Sequence, residues 1–230
     1  MSFVLIRLRA PMQSWGTQSA HRDRSTERFP TKSGVIGLVA NALGRDLGDS
    51  IDDLSSLVMG AGEVIMDKSE SGHIAYDYQT AGGGYDWWKH LIKDDDIISA
   101  QGKIQKGVIL RRKGYLGDAD FLVALSGVRP VVNMVANALK NPSRPLFLGR
   151  KCFLPSLPVF DSMYEGDEDV LATMRSWEHL GDSRFRVSRV LMEVPFSESE
   201  RSQYDQPINF GDRTYSTRGS VLHYIDRSAA

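Results

Sequence analysis

Two short apolar runs, each followed by a stretch with helical spacing, constrain what this chain can fold into. The first run, Phe3 to Leu8, is apolar and β-branched with period-2 features, and Ala10-Pro11 stops it, because proline removes the donor that a continuing ladder needs. From Gly34 to Leu43 the positions Val35, Leu38, Val39, Ala42 and Leu43 recur at helical intervals, with Ser33 as the expected N-cap and Gly44 as the stop. The second run, Phe121 to Ser126, reads as a buried strand. Pro130 then opens a helix carrying Val131, Val132, Val135, Ala138 and Leu139, and Asn141-Pro142 ends it. With Glu63 to Asp67 as a short strand between the two units, the order is strand, helix, strand, insertion, strand, helix, which is α+β.

The insertion is long and irregular. It holds Gly82-Gly83-Gly84, Trp87-Trp88, the acidic run Asp94 to Asp96 and a basic segment, and such length inside a compact domain points to function or flexibility. Beyond it, Arg184, Arg186 and Ser188 alternate with Phe185 and Val187 at the start of Arg184 to Val194, as in a half-exposed strand with a basic outer face. A last short strand is expected over Val221 to Ile225. The 230 residues suffice for one sizeable core or two small ones packed together, and they contain no internal repeat. The apolar N-terminal run meets Arg7 and Arg9 too soon for a signal peptide or membrane span. One cysteine, Cys152, excludes an intramolecular disulfide and a thiolate metal site and fits a reducing, cytoplasmic setting.

Several site chemistries find little support. Thr31-Lys32-Ser33-Gly34 resembles the end of a phosphate loop, but Pro30 stands where the upstream glycines would be. What survives is either a helix N-terminus that favours a phosphate beside Lys32 and Ser33, or an ordinary capped helix. Gly60-Ala61-Gly62 lacks the third glycine of a dinucleotide site and reads as a turn. The histidines His21, His73, His90, His179 and His223 show no paired metal-ligand spacing, and Asp94 to Asp96 look like a solvated loop. No metal, cofactor or catalytic residue is expected.

Charge supplies the positive signal, although the formal total is only -1. Arg22, Arg24 and Arg28 crowd the loop before the first helix. Lys103, Lys106, Arg111, Arg112 and Lys113 form a second cluster, and Lys140, Arg144, Arg150 and Lys151 a third, neither containing an acid. Brought to one surface, they would make a track for a phosphate backbone. The alternative is three solvated faces balanced by acids at Asp46 to Asp53 and Asp161 to Asp169. Trp15, Tyr78, Trp87, Trp88 and Tyr115 are available to stack on bases or to fill the core, the more usual role of large aromatics.

The segment Leu8-Arg9-Ala10-Pro11-Met12-Gln13-Ser14-Trp15-Gly16, followed by Arg28-Phe29-Pro30-Thr31-Lys32-Ser33-Gly34-Val35-Ile36-Gly37-Leu38, resembles the N-terminal signature of the CasD family of CRISPR-associated proteins, within the RAMP superfamily. Asp77-Tyr78-Gln79-Thr80, Tyr115-Leu116, Asp118-Ala119, Phe121 to Leu125 and Leu148-Gly149-Arg150-Lys151-Cys152 continue the match, which thins beyond Asp161. The resemblance implies a ferredoxin-like (RRM-like) domain over residues 1–160 and a smaller β-rich C-terminal part over 161–230. A β-hairpin thumb would be inserted at about residues 78–115.

It also implies a non-catalytic subunit of a type I-E Cascade complex that caps the 5′ handle of the CRISPR RNA. Such a subunit would touch the backbone and large subunits, with target DNA nearby and no membrane. On that reading Gln13, Ser14 and Trp15 contact handle bases, and Lys32 and Ser33 hold a phosphate with Arg24 and Arg28 nearby. Tyr78 is a stacking candidate, Arg111, Arg112 and Lys113 brace the guide backbone, and Gly149, Arg150 and Lys151 offer close approach plus two cations. The insertion departs from the family pattern at Trp87-Trp88-Lys89-His90. A cousin in type I-C systems is a metal-independent ribonuclease, and Lys89 with His90 could mimic part of its set, so processing of precursor RNA is the alternative function.

Overall fold

The computed structural model describes residues 2–17, 23–66, 72–81, 109–166, 168–179 and 181–225, with the backbone of 85–86, 91–92, 97–98 and 104–105. Strand β1 (Ser2–Arg9) is buried along all but its last residue. Its alternate side chains feed two cores: Val4, Ile6 and Leu8 on one face, Phe3 and Leu5 on the other. A strand covered on both faces has no polar side to alternate with, which is why this run is continuously apolar. It is followed by two short pairings, β2 (Met12–Gln13) and β3 (Asp23–Arg24), then helices α1 (Lys32–Ala42) and α2 (Asp52–Ser55).

Helix α1 begins two residues earlier than its apolar spacing indicates. Thr31, not Ser33, is the N-cap: its Oγ1 accepts from the Gly34 N–H at 3.3 Å. Gly44, at φ 78°, ends the helix as expected, in the left-handed conformation glycine favours.

Strand β4 (Val58–Met66) is longer than the expected Glu63 to Asp67, and it corrects the reading of Gly60-Ala61-Gly62 as a turn. Both glycines lie in the middle of the strand. A Cβ on Gly60 would fall 2.5 Å from Met192 Sδ, and one on Gly62 would fall 2.8 Å from Met174 Cε. The glycines mark close approach of neighbouring side chains, which sequence spacing does not distinguish from a turn.

Strands β5 (His73–Ala81) and β10 (Ile109–Gly117) pair antiparallel from His73 opposite Gly117 to Ala81 opposite Ile109. Between them lie the pairs β6 (Tyr85–Asp86) with β7 (Leu91–Ile92) and β8 (Ile97–Ile98) with β9 (Ile104–Gln105). The base of this hairpin is stitched to the loop after β1, because β10 also pairs with β2 at Leu116 opposite Gln13 and with β3 at Lys113 opposite Arg24.

Strand β11 (Asp120–Gly127) and helix α3 (Arg129–Lys140) fall where Phe121 to Ser126 and Pro130 to Leu139 place them. Then come β12 (Phe160–Tyr164), α4 (Val170–Ser176), β13 (Phe185–Val194), β14 (Arg201–Asn209) and β15 (Thr214–Tyr224). The main sheet has seven strands in the order β12-β1-β11-β4-β13-β15-β14, so the C-terminal strands extend the sheet begun by β1. Helices α1 and α3 cover one face, and Met174 of α4 with Trp177 covers part of the other. Of the basic face expected from Arg184, Arg186 and Ser188, Arg184 precedes β13 and pairs with Asp182 at 2.7 Å, and the alternation ends at a register shift between Val187 and Arg189. Among the described residues, no helix is long and apolar enough to cross a membrane.

Candidate nucleic-acid interface

The loop leaving β1 alternates between inward and outward residues. Gln13 is fully buried, its Nε2 donating to Leu8 O at 2.9 Å and Ala119 O at 2.7 Å, while its Oε1 accepts from Trp15 Nε1 at 3.1 Å. Trp15 is 1% exposed and packs under α1 so tightly that a Cβ on Gly34 would meet its ring at 2.8 Å. The expectation that Gln13 and Trp15 present an amide and an indole to bases is therefore corrected: both hold the loop against the core. Ser14, between them, faces outward and its Oγ donates to Gly114 O at 3.4 Å.

Lys32 is corrected in the same way. It is 2% exposed, and its Nζ lies 2.7 Å from Glu193 Oε1 on β13. Burial pushes the ammonium pKa down, opposed by the charge and hydrogen bond of Glu193. The helix N-terminus beside it is already occupied by an internal anion: Asp205 of β14 accepts the Lys32 N–H at 2.8 Å and is gripped by Arg218 at 2.7 and 3.0 Å. A phosphate has no claim on donors that a buried carboxylate has taken.

Ser33, the next residue, opens onto a cleft of about 430 Å³. This cleft gathers Ser14, Arg24, Ser33, Gly149 and Arg150, five expected positions that lie far apart in sequence. Among the described residues, no acidic side chain lines it. Gly149 sits at φ 94°, and a Cβ there would fall 1.9 Å from Ser14 O, so only glycine lets the two loops meet. Arg150 Nη2 donates to Gly114 O at 2.7 Å and its guanidinium lies over the Phe153 ring at 5.2 Å. Burial lowers the pKa of Arg150, with Asp77 acting against the shift. It nonetheless stays a cation at neutral pH. Gly114 O thus receives both Ser14 and Arg150, tying the hairpin base to the cleft.

Lys151 and Arg28 fall in adjoining hollows. Lys151 lines one of about 490 Å³ with Gly37, Leu47, Phe147 and Phe210, which shares Ser33 and Gly149 with the central cleft. Arg28 lines another of about 670 Å³ with Arg189 and Arg201, which shares Thr17 and Tyr204 with it.

On the hairpin, strand alternation separates the trio Arg111, Arg112 and Lys113. Arg112 shares its face with Tyr76 and Tyr78, its guanidinium 3.8 Å from the Tyr76 ring, and Tyr78 is 64% exposed. Arg111 and Lys113 take the other face, where Lys113 Nζ donates to Gln79 Oε1. Trp87, Trp88, Lys89 and His90 lie outside the described residues, as do Lys103 and Lys106. Tyr115 packs 6.1 Å from the Phe153 ring. No three His, Cys, Asp or Glu side chains converge as a metal site among the described residues.

Sequence reasoning missed one wall of the cleft, formed by Tyr204, Arg213 and Tyr215. The available signal was the turn-like Asn209-Phe210-Gly211-Asp212 between two segments of mixed polarity.

A family model described as CRISPR-associated protein (Cas_Cas5) matches residues 3–220. The chain is 27% identical over 223 residues to the CRISPR system Cascade subunit CasD of Escherichia coli (strain K12), covering 93% of this chain and 94% of that one. A crystal structure of a Cas protein superposes with a TM-score of 0.67 at 28% identity, covering 98% of this chain and 95% of the other. A chain of a CRISPR RNA-guided surveillance complex superposes with a TM-score of 0.72 at 27% identity, covering 97% and 90%.

Proposed function

Because the chain belongs to the CRISPR-associated Cas5 family, we propose that it is the RNA-binding subunit of a Cascade surveillance complex in CRISPR defence, holding the 5′ handle of the CRISPR RNA. The similarity to the CasD subunit of Cascade and to a chain of an RNA-guided surveillance complex supports the assignment. The observation that carries the RNA contact is the cleft in which Ser14, Arg24, Ser33, Gly149 and Arg150 converge, with no carboxylate among the described residues of its lining. Arginines at such a site neutralise phosphates, and Gly149 lets the loop that carries Arg150 meet the loop that carries Ser14. The strand order β12-β1-β11-β4, with α1 and α3 packed on one face, supports a ferredoxin-like core, and the β5–β10 pair supports a thumb inserted within it. Tyr78 and Arg112 on one face of that hairpin and Arg111 and Lys113 on the other suit contacts to guide RNA and to a neighbouring backbone subunit. The reading extends to contact with the large subunit, to target DNA nearby and to action in the cytoplasm.

The subunit binds and does not cut. Incubated without metal, the pure chain leaves labelled precursor repeat RNA intact while retaining the handle sequence on a filter. A cut product that disappears on changing Lys89 and His90 to Ala would replace the binding role with a processing ribonuclease.

A further inference from the structure

Part of the cleft comes from the C-terminal hairpin of β14 and β15, far along the chain from its other walls. Arg213, at the end of its turn, sits at φ 55°, a left-handed conformation that residues with side chains seldom adopt. The turn is held from several sides. Phe210 packs on the main core beside Gly37, and Asn209 Oδ1 accepts the Asp212 N–H at 3.1 Å. Farther down β14, Gln206 Nε2 donates to Ser55 O at 2.8 Å, and Asp205 is fixed to the Lys32 N–H and Arg218. Strain of this kind persists where the surroundings over-determine it, and it concentrates at ligand clamps.

Arg213 lines the same cleft as Arg24 and Arg150, and among the described residues neither Arg24 nor Arg213 has an ion pair. Tyr204, also in the lining, is 52% exposed, and Tyr215 braces its ring edge-on at 6.5 Å. Three cations with no carboxylate among the described lining residues select a phosphodiester, and an exposed, braced aromatic ring selects a base plane. We propose that the C-terminal hairpin supplies the third wall of a single-nucleotide site on the RNA, with Arg213 on the phosphate and Tyr204 under the base. This deepens the RNA-binding reading and rests on it.

The test is fluorescence anisotropy on the full chain over a salt series, using a short labelled single-stranded RNA and the same RNA with abasic positions. Arg213→Gly is the informative variant, because glycine accepts this backbone conformation without strain. It melts no lower than wild type, binds the RNA about tenfold more weakly, and has a salt slope shallower by about 0.7, the value for one phosphate on a single strand. Tyr204→Ala loses about tenfold on intact RNA and nothing on the abasic strand. If Arg213→Gly binds like wild type while Arg24→Ala or Arg150→Ala weakens binding, the hairpin wall is wrong and the RNA reading stands. If none of the three arginine variants changes affinity, both fall. Equal weakening of the intact and abasic strands by Tyr204→Ala overturns the base contact.

Discussion

The Asp205 carboxylate on β14 accepts the backbone N–H of Lys32, the first residue of α1, at 2.8 Å, although the two residues are 173 positions apart. The chain thus caps a family-signature helix with an anion of its own, and Arg218 closes the arrangement. Asp205 and Arg218 are 1% and 4% exposed, so neither charge has water to fall back on. Asp205→Ala leaves Arg218 buried and unpaired, which costs about 3–5 kcal/mol. Urea denaturation measures the loss, and an unchanged midpoint would place the carboxylate outside the stability of the fold.

Lys32 follows from the same network. Among the described residues, Lys32→Met leaves Glu193 with the Met59 N–H at 3.0 Å as its one hydrogen bond, and the expected destabilisation is about 3 kcal/mol. RNA affinity of the folded variant is unchanged, because the ammonium does not reach the cleft. A weakened RNA complex with wild-type stability would instead make Lys32 an RNA ligand.

Gly149→Ala tests the meeting of the two loops. The φ of 94° alone is expected to cost about 1–3 kcal/mol, and the 1.9 Å approach to Ser14 O forces the loops apart as well. Both melting temperature and RNA affinity fall. Retained affinity at a lowered melting temperature would detach the loop junction from RNA binding.

Acid sensitivity has a defined direction at Asp53. The hydrogen-bonded Arg45 guanidinium holds its carboxyl below the ordinary value of 3.8. A carboxyl depressed in the folded state contributes stability that is complete above its unfolded value and is lost as pH falls through the lower folded value. The stability gap between wild type and Asp53→Asn is therefore constant near neutrality and closes below about pH 4. A gap that stays constant through the acid range would mean the pair contributes nothing through charge.

Much of the scaffold was legible because local pattern decides it: Phe3 to Leu8, Phe121 to Ser126 and the helix from Pro130 each fall where expected. The positions Ser14, Arg24, Ser33, Gly149 and Arg150 were also legible and meet in one cleft. What failed depends on distant partners. Lys32 looks like a phosphate ligand until Glu193, 161 residues away, is placed beside it. Gly60 and Gly62 look like a turn until Met192 and Met174 fill the space their missing side chains leave. Strand β14 was missed because its alternation is broken by Asp205, a buried charge that only Arg218 and the start of α1 make tolerable.

The proposed RNA path runs through the cleft where the loop after β1, the Gly149 loop and the C-terminal hairpin meet. Ultraviolet cross-linking of the RNA-bound chain, followed by mass-spectrometric mapping of the modified peptides, locates that path. Cross-links are expected in the peptides carrying Ser14 to Thr17, Gly149 to Lys151 and Tyr204 to Tyr215. Cross-links confined to α3 and β12, with none in those three segments, would contradict it.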